Sequence, residues 1–131
     1  MVHSILLVDD EADVRSLLSA FLIDHGFSVH AARDGRHALQ TLERMAPHIP
    51  VVILLDYQMP VMNGKQFLAV KETDPRLRDV PVIVLSAWTR EWTGVGLDVV
   101  TVLPKPVDLD RLLDEVSRFA RRAETGVATP P

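Results

Sequence analysis

The sequence predicts a doubly wound α/β domain, with five parallel strands in one open sheet and helices on both faces. Three observations carry this. Short continuous apolar runs recur five times, as expected for strands buried on both faces. Each run is followed by a helical segment, the alternation that feeds a parallel sheet through crossover helices. The 131 residues suit one domain that buries roughly two-thirds of its unfolded surface, and no internal repeat, low-complexity tract or second domain is visible.

The elements follow in order. Ile5 to Val8 is the first strand, ended by Asp9 and Asp10. A helical stripe continues at Val14, Leu17, Leu18, Phe21 and Leu22, spaced three and four apart. Gly26 stands where a helix C-terminus favours glycine. Phe27 to Ala31 reads as the second strand, with Val29 and Ala31 on one side. Asp34-Gly35 opens a second helix through Ala38, Leu39, Leu42 and Met45, and Pro47 and Pro50 bracket its exit. The most apolar strand is the third, Val51 to Leu55, ending at Asp56. Pro60 and Asn63-Gly64 mark a loop into a third helix through Phe67, Leu68 and Val70. Pro81 begins a fourth strand, Val82 to Leu85, ended by Ser86. From Ala87 to Asp98 the pattern is irregular, because Gly94 and Gly96 interrupt any helix. Val99 to Leu103 is the fifth strand, Pro104-Lys105-Pro106 a turn, and the last helix shows Leu109, Leu112, Leu113, Val116, Phe119 and Ala120. The domain is expected to span residues 1–122, with residues 123–131 a disordered tail.

Composition narrows the chemistry. The absence of cysteine excludes a disulfide scaffold, a thiolate zinc site and a cysteine nucleophile. A net charge of −4 argues against direct nucleic-acid binding, which favours a basic face. No apolar run approaches the roughly 18 residues needed to cross a membrane, and Met1 to Ser4 carries no basic leader, so a cytoplasmic location is expected. His3, His25, His30, His37 and His48 lack metal-ligand spacing and read as surface or helix-end residues. Arg118, Arg121 and Arg122 fit favourable placement against the dipole of the last helix.

In such a sheet ligands bind beyond the carboxyl ends of the strands, near the point where strand order reverses. There the sequence places Asp9-Asp10, Asp56, Ser86 and, after a short turn, Lys105. Each has a plain structural reading. Asp10 fits an N-cap with Asp13 as its partner, Asp56 a turn residue, Ser86 a cap and Lys105 a solvated charge. Together they make a different case. Three carboxylates on one rim repel each other unless a cation joins them. Hard carboxylate oxygens suit Mg²⁺, and a lysine and a hydroxyl opposite are the donors a phosphoryl group needs.

At these residues the chain resembles the receiver domains of two-component response regulators. The matching elements are Asp9-Asp10, Leu55-Asp56-Tyr57-Gln58-Met59-Pro60 with Asn63-Gly64, Ser86-Ala87 and Lys105-Pro106, in order and correctly spaced. The resemblance implies the flavodoxin-like receiver fold, a bacterial phosphorelay role, and Asp56 as phospho-acceptor from a histidine kinase or histidine phosphotransfer protein. It implies Mg²⁺ on Asp10, Asp56 and the backbone carbonyl of Gln58, with Asp9 acting largely through a metal-bound water. Ser86 and Lys105 would each contact a phosphoryl oxygen, and Lys105-Pro106 would be cis. Self-phosphorylation and autodephosphorylation are the only catalysis implied, with output through a downstream protein partner and a monomer or weak homodimer as the assembly.

Two departures from the family pattern stand out. Val102 occupies a position usually aromatic, so it cannot report the site's state by a ring swing. Trp88, Trp92, Gly94 and Gly96 replace the regular fourth helix, and Trp88 is placed to shelter a phosphoryl group or simply to patch the core. A competing function is a pseudo-receiver, an interaction domain of the same fold that is not phosphorylated. An aspartate-nucleophile phosphatase fits less well, because Gln58 stands where such enzymes place a second acid. No glycine-rich phosphate loop follows the first strand.

Overall fold

A computed structural model describes residues 2–57, 59, 61–87 and 99–125. The expectations placed on Gln58 and Pro60, on Trp88, Trp92, Gly94 and Gly96, and on residues 126–131 lie outside the described residues.

Five parallel strands form one sheet in the order β2-β1-β3-β4-β5: β1 (Ser4–Val8), β2 (Ser28–Ala32), β3 (Val52–Asp56), β4 (Val82–Ser86) and β5 (Val99–Pro104). The helices are α1 (Ala12–Asp24), α2 (Gly35–Met45), α3 (Gly64–Thr73) and α4 (Leu109–Thr125). Strand boundaries lie within a residue of those read from the apolar runs. The last helix continues past Arg122 to Thr125, three residues into the segment expected to be tail. Among the described residues no helix is long and apolar enough to cross a membrane.

Alternation along the strands divides the core in two. Leu6, Val8, Ile53, Leu55, Val82 and Val84 face α2 and α3, where Leu42, Met45, Phe67 and Leu68 meet them. Ile5, Leu7, Val52, Leu54, Ile83 and Leu85 face the other way and pack against Leu18, Leu22, Leu112, Val116 and Phe119 of α1 and α4. Each central strand therefore buries both faces, which is why its sequence is a continuous apolar run.

Not every residue of the helical stripes is covered. Leu17 is 60% exposed and Val70 39%, because each stripe is wider than the strip of helix that the sheet contacts. Helix ends are set by local chemistry. Asp34 caps α2 by accepting from the His37 N–H at 2.8 Å. Asn63 and Gln66 form a reciprocal capping box at the start of α3. Gly26 follows α1 with φ +93°, a conformation that costs glycine little.

Candidate functional site

The chain reverses direction of growth between β1 and β3, which are adjacent in the sheet while β2 lies outside β1. The carboxyl ends of β1 and β3 thus flank the switch point, and the residues that end them are Asp9 and Asp56. Ser86 ends β4, and Lys105 follows β5 directly. Lys105-Pro106 is cis, and the Lys105 N–H donates to the Ser86 carbonyl at 3.1 Å, tying the turn to the end of β4.

Asp9, Asp10 and Asp56 come together: each offers a carboxylate oxygen, and these oxygens lie within 4.8 Å of one another. Asp9 is fully buried, Asp56 is 5% exposed, and Asp10 is exposed at the mouth. The Asp9 N–H still bonds the Ala32 carbonyl at 3.0 Å, so Asp9 continues the β1–β2 pairing by one residue and carries its side chain inward. Its Oδ1 accepts the Glu11 N–H at 2.9 Å, while its backbone carbonyl accepts from Arg15 Nη1 at 2.7 Å. The capping role considered for Asp10 is not what the chain adopts. Glu11 is the N-cap residue of α1 and its side chain makes no cap hydrogen bond.

Lys105 spans the acids. Its Nζ donates to Asp9 Oδ2 at 3.0 Å and lies 3.4 Å from Asp56 Oδ1. Burial raises the Asp56 carboxyl to about 7, the Asp9 charge pushing the same way and Lys105 opposing both. Burial alone would lower the Lys105 ammonium. The hydrogen bond to Asp9 and the charges of Asp56 and Asp9 outweigh it and hold the group above its usual value. The donor set is all hard carboxylate oxygen with one open side, which fits a hard divalent cation and not a soft metal. Ser86 is buried at the same rim. Val102, half-buried, packs against the core cluster under α2 and α3.

The loop after Asp56 is shaped by a glycine. The Gly64 N–H donates to the Tyr57 carbonyl at 2.9 Å, and a Cβ at Gly64 would fall 2.9 Å from Tyr57 Cα. Sequence reasoning named the Asn63-Gly64 turn but missed its reciprocal Gln66, which the Asn-x-x-Gln spacing signals. It also missed Lys71, which is 1% exposed and whose Nζ donates to the Arg78 carbonyl at 2.9 Å.

The sheet order and the acidic pocket define a class: a doubly wound domain that holds a carboxylate cluster and a lysine at its switch point. The chain belongs to the response regulator receiver domain family, whose model matches residues 5–117. The response regulator Rre1 of Synechocystis sp. is 38% identical over 117 residues, covering 83% of this chain and 48% of that protein. The chain spans about half the length of that relative and about a quarter of some others. Among solved structures, the receiver domain of the hybrid histidine kinase CckA is 34% identical with a TM-score of 0.72, covering 88% of this chain and 97% of that one. The chemotaxis response regulator CheY4 of Vibrio cholerae is 29% identical with a TM-score of 0.76, covering 91% and 99%.

Proposed function

We propose that the chain is a phospho-acceptor switch in which Asp56 takes a phosphoryl group from the phosphohistidine of a histidine kinase or histidine phosphotransfer protein. The observation that supports this best is the seating of Asp56 at the switch point, beside Asp9 and Asp10 and 3.4 Å from the Lys105 ammonium. An Asp56 carboxylate oxygen attacks phosphorus, the P–N bond to the imidazole breaks, and its electron pair passes to that nitrogen. Lys105 pairs with one phosphoryl oxygen and the Ser86 hydroxyl donates to another. Asp10, Asp56 and the Gln58 carbonyl would hold Mg²⁺, with Asp9 acting largely through a metal-bound water, and the ion would supply positive charge to offset that of the phosphoryl oxygens. Water attack on the acyl phosphate later releases phosphate and restores the carboxylate, which resets the switch.

Output passes to a downstream protein through a changed docking surface, in the cytoplasm, without direct contact to nucleic acid. With valine at 102, that change proceeds without an aromatic ring swing. The test is to incubate the protein with Mg²⁺ and a small acyl-phosphate or phosphoramidate donor and weigh it intact. Gain of one phosphoryl group by wild type and none by Asp56→Asn is the expected result. No adduct and no Mg²⁺ binding would leave a pseudo-receiver.

A further inference from the structure

We propose that the free edge of β2 and the adjoining face of α2 form a docking groove for an acidic, extended segment of a partner protein, which adds to the sheet beside β2. The groove lies away from the acidic pocket and the inference does not rest on the phospho-acceptor reading. β2 is the outermost strand, and among the described residues it pairs with β1 alone. The Ser28 N–H donates to the His3 carbonyl, and the Ala32 carbonyl accepts from the Asp9 N–H. Alternation then turns the backbone groups of Ser28, His30 and Ala32 toward β1, and those of Val29 and Ala31 outward. An outward row of this kind is a ready template for another strand.

A groove of about 400 Å³ lies between β2 and α2, lined by Val29, His30 and Ala31 of the strand and His37, Thr41, Arg44 and Met45 of the helix. The segment from His30 to Met45 carries three arginines and two histidines against two acids, in a chain whose net charge is −4. Neither acid lines the groove. The Asp34 carboxylate is buried, accepts the His37 N–H at 2.8 Å and lies 3.9 Å from Arg33 Nε, and Glu43 lies within electrostatic reach of Arg76. Among the described residues, the side chains of His30 and Arg44 make no hydrogen bond or ion pair. His37 Nδ1 accepts the Arg33 N–H at 3.1 Å, which leaves Nε2 as the protonated nitrogen and a donor.

The outward backbone groups of Val29 and Ala31 border the same groove as His30 of the strand and His37 and Arg44 of α2. An extended chain with carboxylates satisfies both sets at once, whereas a small oxyanion would use the side chains only. A second copy of this chain fits poorly, because pairing β2 with β2 would bring two basic walls together.

The probe is a fluorescent eight-residue peptide of alternating glutamate and valine, with a lysine–valine peptide and free glutarate as controls. Fluorescence anisotropy reads binding, and hydrogen exchange reads the Val29 and Ala31 amides. The glutamate peptide is expected to bind, the lysine peptide not to bind, and the two amides to exchange about tenfold more slowly in the complex. Arg44→Glu, an exposed site whose change leaves the fold intact, should weaken binding about tenfold. Ala31→Pro removes one outward N–H at an edge position that tolerates proline, and should weaken it similarly. The proposal is overturned by absence of binding, by equal binding of the lysine peptide, or by unchanged affinity in Arg44→Glu. Displacement of the peptide by glutarate with no protection of the two amides would also overturn it, leaving a site for small carboxylates only.

Discussion

Replacing Asp56 by asparagine should stabilise the metal-free protein, and the size of the gain should depend on pH. The Asp56 carboxyl titrates near 7 in the folded chain against 3.8 as a free group, because burial and the Asp9 charge disfavour its ionised form. Below pH 3.8 it is protonated in both states and contributes nothing to the difference between them. As pH rises toward 7 the unfolded chain releases this proton while the folded chain keeps it, so stability falls through that window and is flat above it. The full shift corresponds to about 4 kcal/mol, and water at the open rim reduces the working figure to about 2 kcal/mol. Asparagine keeps the shape without the charge. In urea unfolding with EDTA at pH 8, Asp56→Asn should therefore unfold at a midpoint about 1 M above wild type, given a slope of about 2 kcal/mol/M. Near pH 4 the two should converge. A variant less stable than wild type at pH 8, or a gain that does not shrink on acidification, would refute the reasoning.

Further expectations concern the same rim. Mg²⁺ at about 10 mM should add about 1.4 kcal/mol to wild-type stability for a site with a dissociation constant on the order of 1 mM, and much less to Asp56→Asn; equal gains would place the ion elsewhere. Lys105→Met strips the buried Asp9 carboxylate of a partner 3.0 Å away, so it should cost about 3 kcal/mol without metal, read by thermal unfolding. Gly64→Ala drives a Cβ to 2.9 Å from Tyr57 Cα and should cost about 1–3 kcal/mol while slowing phosphoryl uptake at the neighbouring Asp56. A Gly64→Ala protein with unchanged stability and uptake would show that the loop shifts freely.

Much of this was legible in the sequence because the sheet interior is monotonous. Runs such as Val51 to Leu55 can be buried on two faces or not at all, and a polar residue that ends such a run must sit at the sheet's rim. Asp9, Asp56, Ser86 and Lys105 were found that way. The sequence could not separate Asp9 from Asp10, two identical neighbours of which one is fully buried and the other exposed. That choice is made by the pairing of the Asp9 N–H with Ala32, a contact across 23 residues. Leu17 was misplaced and Lys71 passed over, for opposite reasons. Helical spacing sets direction but not how far a neighbour reaches, so Leu17 is left in water. Lys71 lies on the covered side of α3, where its ammonium finds the Arg78 carbonyl from the turn that follows. The β2 groove escaped notice because His30 and His37 are unremarkable singly and meet only when strand and helix are packed.

The bridge from Lys105 to Asp9 joins residues 96 apart in the chain. Contacts of such separation form late, since the closure entropy of the intervening chain must first be overcome. During synthesis Asp9, Asp10 and Asp56 are all made well before the lysine that links them. A nascent or partly unfolded chain thus carries the acids without their ammonium, on strands not yet held by β5. The paired acid–lysine cluster is therefore a property of the finished sheet, and the lysine that follows its last strand closes it.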